Sequence, residues 1–220
     1  MAEHTGDAPS RLDRRKARTR AALVRAAQSF LAAGQPDVPI LDITQAADVG
    51  LGSFYNHFDS KEQLFRAAVD DALGLFAAVL DEHAAGLDDP AHVFAQGFRL
   101  TGRLHRAQPE LSRVLLNSGP AVLGSDTGLV SRARRDIEAA ARAGRLTIRD
   151  PDLALAIVAG AQLCLGQLLH DQPDRDGAQA TDQVAEDLLR MLGVPAAEAR
   201  QICQRPLPDP GDLPRHHTAA

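Results

Sequence analysis

The sequence predicts an all-α protein of about nine helices. A small N-terminal three-helix module built around a helix-turn-helix precedes a larger helical domain. Three observations predict this. Apolar residues recur at three- and four-residue intervals through most of the 220 residues, with no strand-like alternation. Gly and Pro fall at helix-length intervals, as at Gly34/Pro36, Pro90, Pro109, Gly144 and Pro151. Residues 42–58 read as two short helices around a sharp corner at Asp48-Val49-Gly50.

Taken in order, 11–33 form a first helix with Leu12, Leu23, Ala27, Phe30 and Leu31 on its buried face, ended by Gly34 and Pro36. A short helix over 42–47 turns Ile43 and Ala47 inward, and another spans 50–58. Ser60-Lys61-Glu62-Gln63 has the form of a capping box and opens a helix to about residue 85. Asp89-Pro90 starts a helix to about 107, and Pro109 a short one to about 117. "NSGPAVLGSDTG" reads as a loop or hinge. Helices follow over 127–144, from Asp150-Pro151 to about 170, over 180–193 and over 196–203. The tail from 205, with four prolines, is expected to be disordered. The domains are expected at 11–66 and 67–204.

Bulk properties exclude several classes. No apolar run approaches the eighteen or so residues of a membrane span, and the polar start MAEHTGDAPS is not a secretory signal. Cys164 and Cys203 alone make neither a disulfide framework nor a metal motif and suit a reducing cytoplasm. No HExxH, GxSxG, P-loop or dinucleotide fingerprint is present. His83, His92 and His105 are spread over two helices, and His216-His217 lie in the tail, so no metal, cofactor or enzymatic site is expected. The net charge of −5 is uneven: residues 1–66 carry +1, with RLDRRKARTR at 11–20, and residues 67–220 carry −6. A basic end on an acidic body suits contact with a polyanion at that end, although such a run is also the ordinary solvated face of a helix.

The chemistry concentrates in "VGLGSFYNHFDSKEQLF", which holds Tyr55 and three of seven Phe. Phe54 and Phe58 are four apart and share one face, as core residues do. Leu51, Gly52 and Ser53 stand at a helix start, where free N–H groups attract phosphate and glycine permits close approach. Ser53, Tyr55 and His57 carry hydrogen-bonding tips suited to phosphate oxygens, and Asn56 could also reach a base edge. Lys61 begins the next helix, and Arg15, Arg18 and Thr44 complete the candidate nucleic-acid set with Gly50.

The run "DITQAADVGLGSFYNHFDSKEQLF" resembles the DNA-binding signature of TetR-type transcriptional regulators: Asp42-Ile43, a turn at Ala47-Asp48-Val49, then Phe54-Tyr55-Asn56-His57-Phe58 and Ser60-Lys61-Glu62. The likeness covers roughly residues 15–66. It implies that Tyr55, His57 and Lys61 grip phosphates, and that Ser53 and its neighbours meet phosphate or bases. Asp48 stands where Gly is common, Gly50 where Ser or Thr caps the recognition helix, and Pro39 where a hydroxyl residue is usual.

The resemblance also implies a bacterial, cytoplasmic, nucleoid-associated homodimeric repressor that binds a palindromic operator, needs no cofactor, and releases DNA on binding a small effector. A regulator without an effector is the alternative. The residues add their own pointers. The stretch 151–170 is apolar on nearly every face; with Ala156, Ala159, Gly160 and Gly166, and with Leu188 and Leu189 on its neighbour, it is the expected dimer interface. Leu104, Leu115 and Leu168 are possible cavity residues, with Asn117 and Gln162 among the polar handles. The preferred set is Phe76, Phe94, Phe98, His105, Leu116, Leu163 and Gln167, suiting a rather apolar ligand. The helix begun by Lys61 is expected to couple cavity and DNA head.

Overall fold

The computed structural model describes residues 10–84, 86–125 and 128–208. Two compact units divide the chain, residues 1–68 and 69–220. Among the described residues there are ten α-helices, one 3-10 helix and no strand.

In the first unit, α1 (Arg11–Ala32) starts on a capping box: Asp13 N donates to Ser10 Oγ, while Ser10 N and Oγ donate to the Asp13 carboxylate. This cap was readable as Ser-x-x-Asp. Leu23, Val24, Ala27 and Leu31 are buried. Leu12, expected on that face, is 59% exposed, because the apolar stripe begins only in the helix's second half. Phe30 is half-buried. α2 (Ile40–Ala46) buries Ile43, and α3 (Leu51–Tyr55) buries Phe54. Both are shorter than the pattern suggested at their far ends. α4 (Lys61–Ala84) starts as expected with Gln63 N donating to Ser60 Oγ, but the Gln63 side chain accepts from Asp59 N rather than Ser60 N. Inside the unit, buried Gln28 donates to the Ala68 carbonyl and ties α1 to α4.

The second unit is built around α5 (Pro90–Ala107), which is flanked by α6 (Pro109–Ser118), α7 (Gly128–Arg142), α8 (Pro151–Asp171), α9 (Gly177–Met191) and α10 (Ala196–Cys203). Asp89, Asp150 and Asp176 cap α5, α8 and α9 by accepting from N–H groups of their first turns. The segment read as a loop or hinge contains a 3-10 helix, Gly119–Gly124, with Val122 buried. It is additional to the ten described α-helices, where about nine helices were expected.

Gly102 marks the α5–α9 crossing. A Cβ there would lie 2.2 Å from Thr181 Cγ2, so hydrogen alone permits this approach. α8 corrects one expectation. Its 21 residues reach a mean hydropathy of 1.7 over 18 residues, long and apolar enough to cross a membrane by length and composition. Isolated Gln and Gly residues break the run, but the Leu, Ile, Val and Ala around them keep its average high. Of the tail, residues 209–220 lie outside the described part. Arg205, expected to be disordered, is held instead: its carbonyl accepts from Arg99 Nη1 at 3.0 Å and its Nη1 lies 2.9 Å from His92 Nδ1.

Candidate nucleic-acid interface and effector cavity

The helix-turn-helix corner is made by Asp48, not by glycine. Asp48 has φ +53°, in the left-handed region, whereas Gly50 has an ordinary φ of −69°. Val49 N–H donates to Thr44 O across the corner. Gly50 and Pro39 stand at the N-caps of α3 and α2 and supply no side-chain hydrogen bond.

The three rings of the region form one cluster. Phe54 meets Tyr55 edge-on at 5.1 Å between centroids and lies 6.1 Å from Phe58, with Arg20 over Phe58 at 5.2 Å. Phe54 and Phe58 are buried, while Tyr55 is 60% exposed with its hydroxyl end free to face a partner. Leu51, Gly52 and Asn56 are also exposed, and Ser53 and His57 are half-buried. Arg15 and Arg18 stand on the exposed part of α1. Lys61 is partly engaged already, since its ammonium donates to Val38 O at 3.3 Å and stands 5.9 Å from the Phe65 ring centre. Thr44 is a correction: it is 1% exposed and its hydroxyl donates to Leu41 O, so its side chain points into the module.

In the second unit a cavity of about 90 Å³ opens among α4, α5, α6, α7 and α8. Phe94, Phe98, His105 and Leu163 line it as the sequence suggested, joined by Leu115 and Gln162. Phe76, Leu116 and Gln167 do not. Leu73 and Leu80 of α4 line the cavity, whereas Phe76, on the same side of the helix, is fully buried in the core beside it. Helix phase accounts for the other two. Leu115 faces in, so Leu116 is rotated away. On α8 the face runs Leu155, Val158, Ala159, Gln162, Leu163, which leaves Gln167 exposed and bonded to Asp171.

Sequence reasoning missed α7's contribution. Leu129, Val130, Arg132, Ala133 and Asp136 all line the cavity. Arg132 is 4% exposed and pairs with Asp81 of α4; its Nε lies 3.5 Å from Asp136 Oδ2, too far for a hydrogen bond, and has no hydrogen-bond partner. Burial pushes the Asp136 carboxyl above its ordinary pKa, and the Arg132 guanidinium opposes that shift. The signal was an Arg-x-x-x-Asp pair on the apolar face of a helix that had been read only as basic. An oriented ion pair in an otherwise apolar wall is built to meet polar atoms of an enclosed ligand.

At the other end, His105 is 2% exposed; its Nδ1 stands 2.6 Å from Ser112 Oγ, and its Nε2 3.1 Å from Gln162 Nε2. Burial, followed by the nearby His170, pushes His105 down to about 4, so it is neutral at ordinary pH.

The proposed dimer residues divide. Ala156 is exposed, and Ala159 and Gly160 are half-buried. Gly166, Leu188 and Leu189 are corrections, because they are packed inside the chain. A Cβ on Gly166 would lie 2.4 Å from the His105 ring, so that glycine serves the α5–α8 crossing. The exposed apolar residues of these helices are Leu153, Ile157 and Met191.

Comparison with known proteins agrees with this architecture. The model of bacterial regulatory proteins of the tetR family matches residues 22–68, and that of the tetracyclin repressor-like C-terminal domain matches residues 89–205. The chain belongs to the TetR family of transcriptional regulators. Two solved structures of RolR are similar along almost their whole length. RolR without ligand is 36% identical over 86% of this chain and 98% of its own, with a TM-score of 0.71. RolR in complex with resorcinol is 34% identical over 89% and 98%, with a TM-score of 0.63. FadR from Bacillus subtilis in complex with stearoyl-CoA is 16% identical over 77% and 97%, with a TM-score of 0.61, a likeness of fold. No curated protein matches. As a TetR-family regulator the chain carries its DNA-binding domain in the first unit and the family's C-terminal domain in the second.

Proposed function

We propose that this TetR-family regulator is a cytoplasmic, ligand-responsive repressor that binds a palindromic operator as a homodimer and releases it on binding a small hydroxylated aromatic. The observation that carries the ligand reading is the cavity itself. Its walls are apolar, yet a buried Arg132–Asp136 pair faces into it. At about 90 Å³ it is far smaller than the roughly 300–1,000 Å³ of drug-sized sites, which favours a single ring over an acyl-CoA. The expectation of a rather apolar effector is thereby narrowed to a ring with polar substituents. RolR, a relative above 30% identity, was solved with resorcinol, a ring bearing two hydroxyls.

The operator contact is assigned to Tyr55, Leu51, Gly52, Ser53, Asn56, His57 and Lys61, supported by Arg15 and Arg18, which are exposed or half-buried. The dimer contact is assigned to the exposed stripe Leu153, Ala156, Ile157 and Gly160 of α8 with Met191 of α9. Two heads at fixed spacing read two half-sites. α4 offers the coupling, since one helix carries Lys61 at its start and Leu73 and Leu80 in the cavity wall. A ligand preferring one setting of that helix shifts the population of DNA-competent dimers.

The test is a fluorescence-anisotropy titration on DNA from immediately upstream of its own gene, at two salt concentrations, with and without resorcinol. Tight binding that resorcinol releases, and that Tyr55→Ala/Lys61→Ala weakens with a salt slope lower by about one unit, is expected. Operator binding that no phenol alters would leave the alternative of a regulator without an effector. Binding no tighter than to random DNA, across a genome-wide selection, would overturn the operator reading.

A further inference from the structure

The Arg132–Asp136 pair leaves a second polar pole of the cavity unexplained. Gln162 lines the cavity, and its Oε1 is fully enclosed with no hydrogen-bond partner. An enclosed amide oxygen without a donor is unfavourable, and a ligand hydroxyl would remove that penalty. The amide nitrogen on the same side chain is engaged by His105. From there the contacts continue outward: His105 Nδ1 to Ser112 Oγ at 2.6 Å, then Ser112 Oγ to His170 Nε2 at 2.9 Å. Ser112 is wholly buried, while His170 at the end of α8 is half-exposed. The row therefore runs from the cavity to the surface through α8, α5, α6 and α8 again.

Proton counting fixes a direction. Gln162 Nε2 donates to His105 Nε2, so a neutral His105 holds its one proton on Nδ1. That N–H donates to Ser112 Oγ, and the Ser112 hydroxyl is then left to donate to His170 Nε2. An arrangement that reverses every bond is also consistent. His170 Nε2–H donates to Ser112, Ser112 to His105 Nδ1, and His105 Nε2–H to the Gln162 oxygen, which turns the amide NH2 toward the cavity.

We infer that Gln162 Oε1 accepts a hydroxyl of the effector and that the row His105–Ser112–His170 determines which end of the Gln162 amide the cavity presents. The inference deepens the effector reading above and rests on it. In the arrangement seen here the cavity offers an acceptor and selects ligands that donate, such as phenols, over ethers of the same shape. A charged His170 has N–H on both ring nitrogens and donates to Ser112 Oγ, which favours the reversed arrangement in which Ser112 donates on to His105 Nδ1, so acidification shifts the cavity toward a donor. The charged groups facing His170 are Arg106 on α5, Arg113 on α6 and Asp171 on its own helix. Burial and then the two arginines hold His170 below 6.5, so at neutral pH it is uncharged and compatible with the acceptor arrangement that the Gln162 Nε2–His105 Nε2 contact sets. His105, Ser112 and His170 are positioning residues; of the row, Gln162 supplies the atom that accepts the ligand hydroxyl.

Two measurements on the full-length protein test this. The first needs no ligand: NMR of 15N-labelled histidine, at about pH 7.5 and about pH 5. His105 should carry its proton on Nδ1 at the higher pH and on Nε2 once His170 is charged, and Ser112→Ala should uncouple the two rings. The second compares binding of resorcinol and of its dimethyl ether, which can accept but not donate. At the higher pH resorcinol should bind at least about tenfold tighter. Gln162→Met should cut that ratio by about fivefold or more, and acidification should cut it in the wild type but not in Ser112→Ala. A purely structural role would weaken both ligands alike. An Nε2–H tautomer at His105 near neutral pH overturns the inference, as does resorcinol binding whose ratio Gln162→Met leaves unchanged; the effector reading would survive both. If neither ring binds the wild type, the inference and the aromatic-effector reading fall together. Should Ser112→Ala fail to fold, Gln162→Met and the wild-type spectra still decide.

Discussion

Arg99 of α5 closes a fork on Asp182 of α9, with Nε to Oδ1 at 2.8 Å and Nη2 to Oδ2 at 3.2 Å. Arg99 is 5% exposed and Asp182 31%, and Arg103 reaches the same carboxylate at 2.8 Å. The fork ties the central helix to the helix beside it and, through Arg205, to the end of the described chain.

Asp182→Ala should therefore strand a buried guanidinium. The expected loss is about 2–3 kcal/mol, below the 3–5 of a fully buried pair because Asp182 is partly hydrated. Arg99→Met should cost less, since the remaining carboxylate keeps Arg103 and water. Urea unfolding of both variants checks the order; a larger loss for Arg99→Met would contradict it.

Gly102→Ala should be among the most damaging single-methyl changes in the chain. Its Cβ would fall 2.2 Å from Thr181 Cγ2 and 2.5 Å from its Oγ1, and Thr181 is itself buried and bonded to Gly177 O. Overpacking of this kind costs about 1–3 kcal/mol. A melting temperature equal to wild type would show that α5 and α9 can separate freely.

Asp48 holds the corner at a positive φ. Asp48→Val, β-branched, should destabilise the first unit by roughly 1–2 kcal/mol and weaken DNA binding in proportion to the unfolded fraction. Asp48→Gly should be neutral within several tenths of a kcal/mol, because relief of strain offsets added chain entropy. Proteolysis of the N-terminal unit alongside operator titration separates the two.

Stability should depend on pH through His105. Its pKa is lowered in the fold from 6.5 to about 4, so the unfolded chain binds the proton more readily. The contribution is complete above about pH 6.5 and is lost as pH falls toward about 4, amounting to at most about 3 kcal/mol. His92 and His170 are shifted in the same direction by burial and add to the slope. Urea midpoints between those pH values test it, and midpoints that rise on acidification would refute the sign.

The sequence by itself determined the elements and the family. Apolar period, Asp-Pro starts and Gly stops are local signals, so α5, α6 and α8 emerged close to their true bounds. The DNA-binding motif was legible for the same reason, since a short helix-turn-helix is specified almost wholly by neighbours in the chain. Only the tertiary structure decided what each helix face meets. Phe76 and Phe94 look alike in sequence, yet the packing around them leaves Phe76 in the core and Phe94 in the cavity wall. Gly166 reads as a contact between chains until His105, 61 positions earlier, is found filling the space above it. Arg132, Asp136, His105, Ser112, Gln162 and His170 come from four helices, and apart from the Arg132–Asp136 spacing no interval along the chain brings them together. Their chemistry arises from side chains sharing a low-dielectric enclosure, and such an enclosure exists only once the helices are packed.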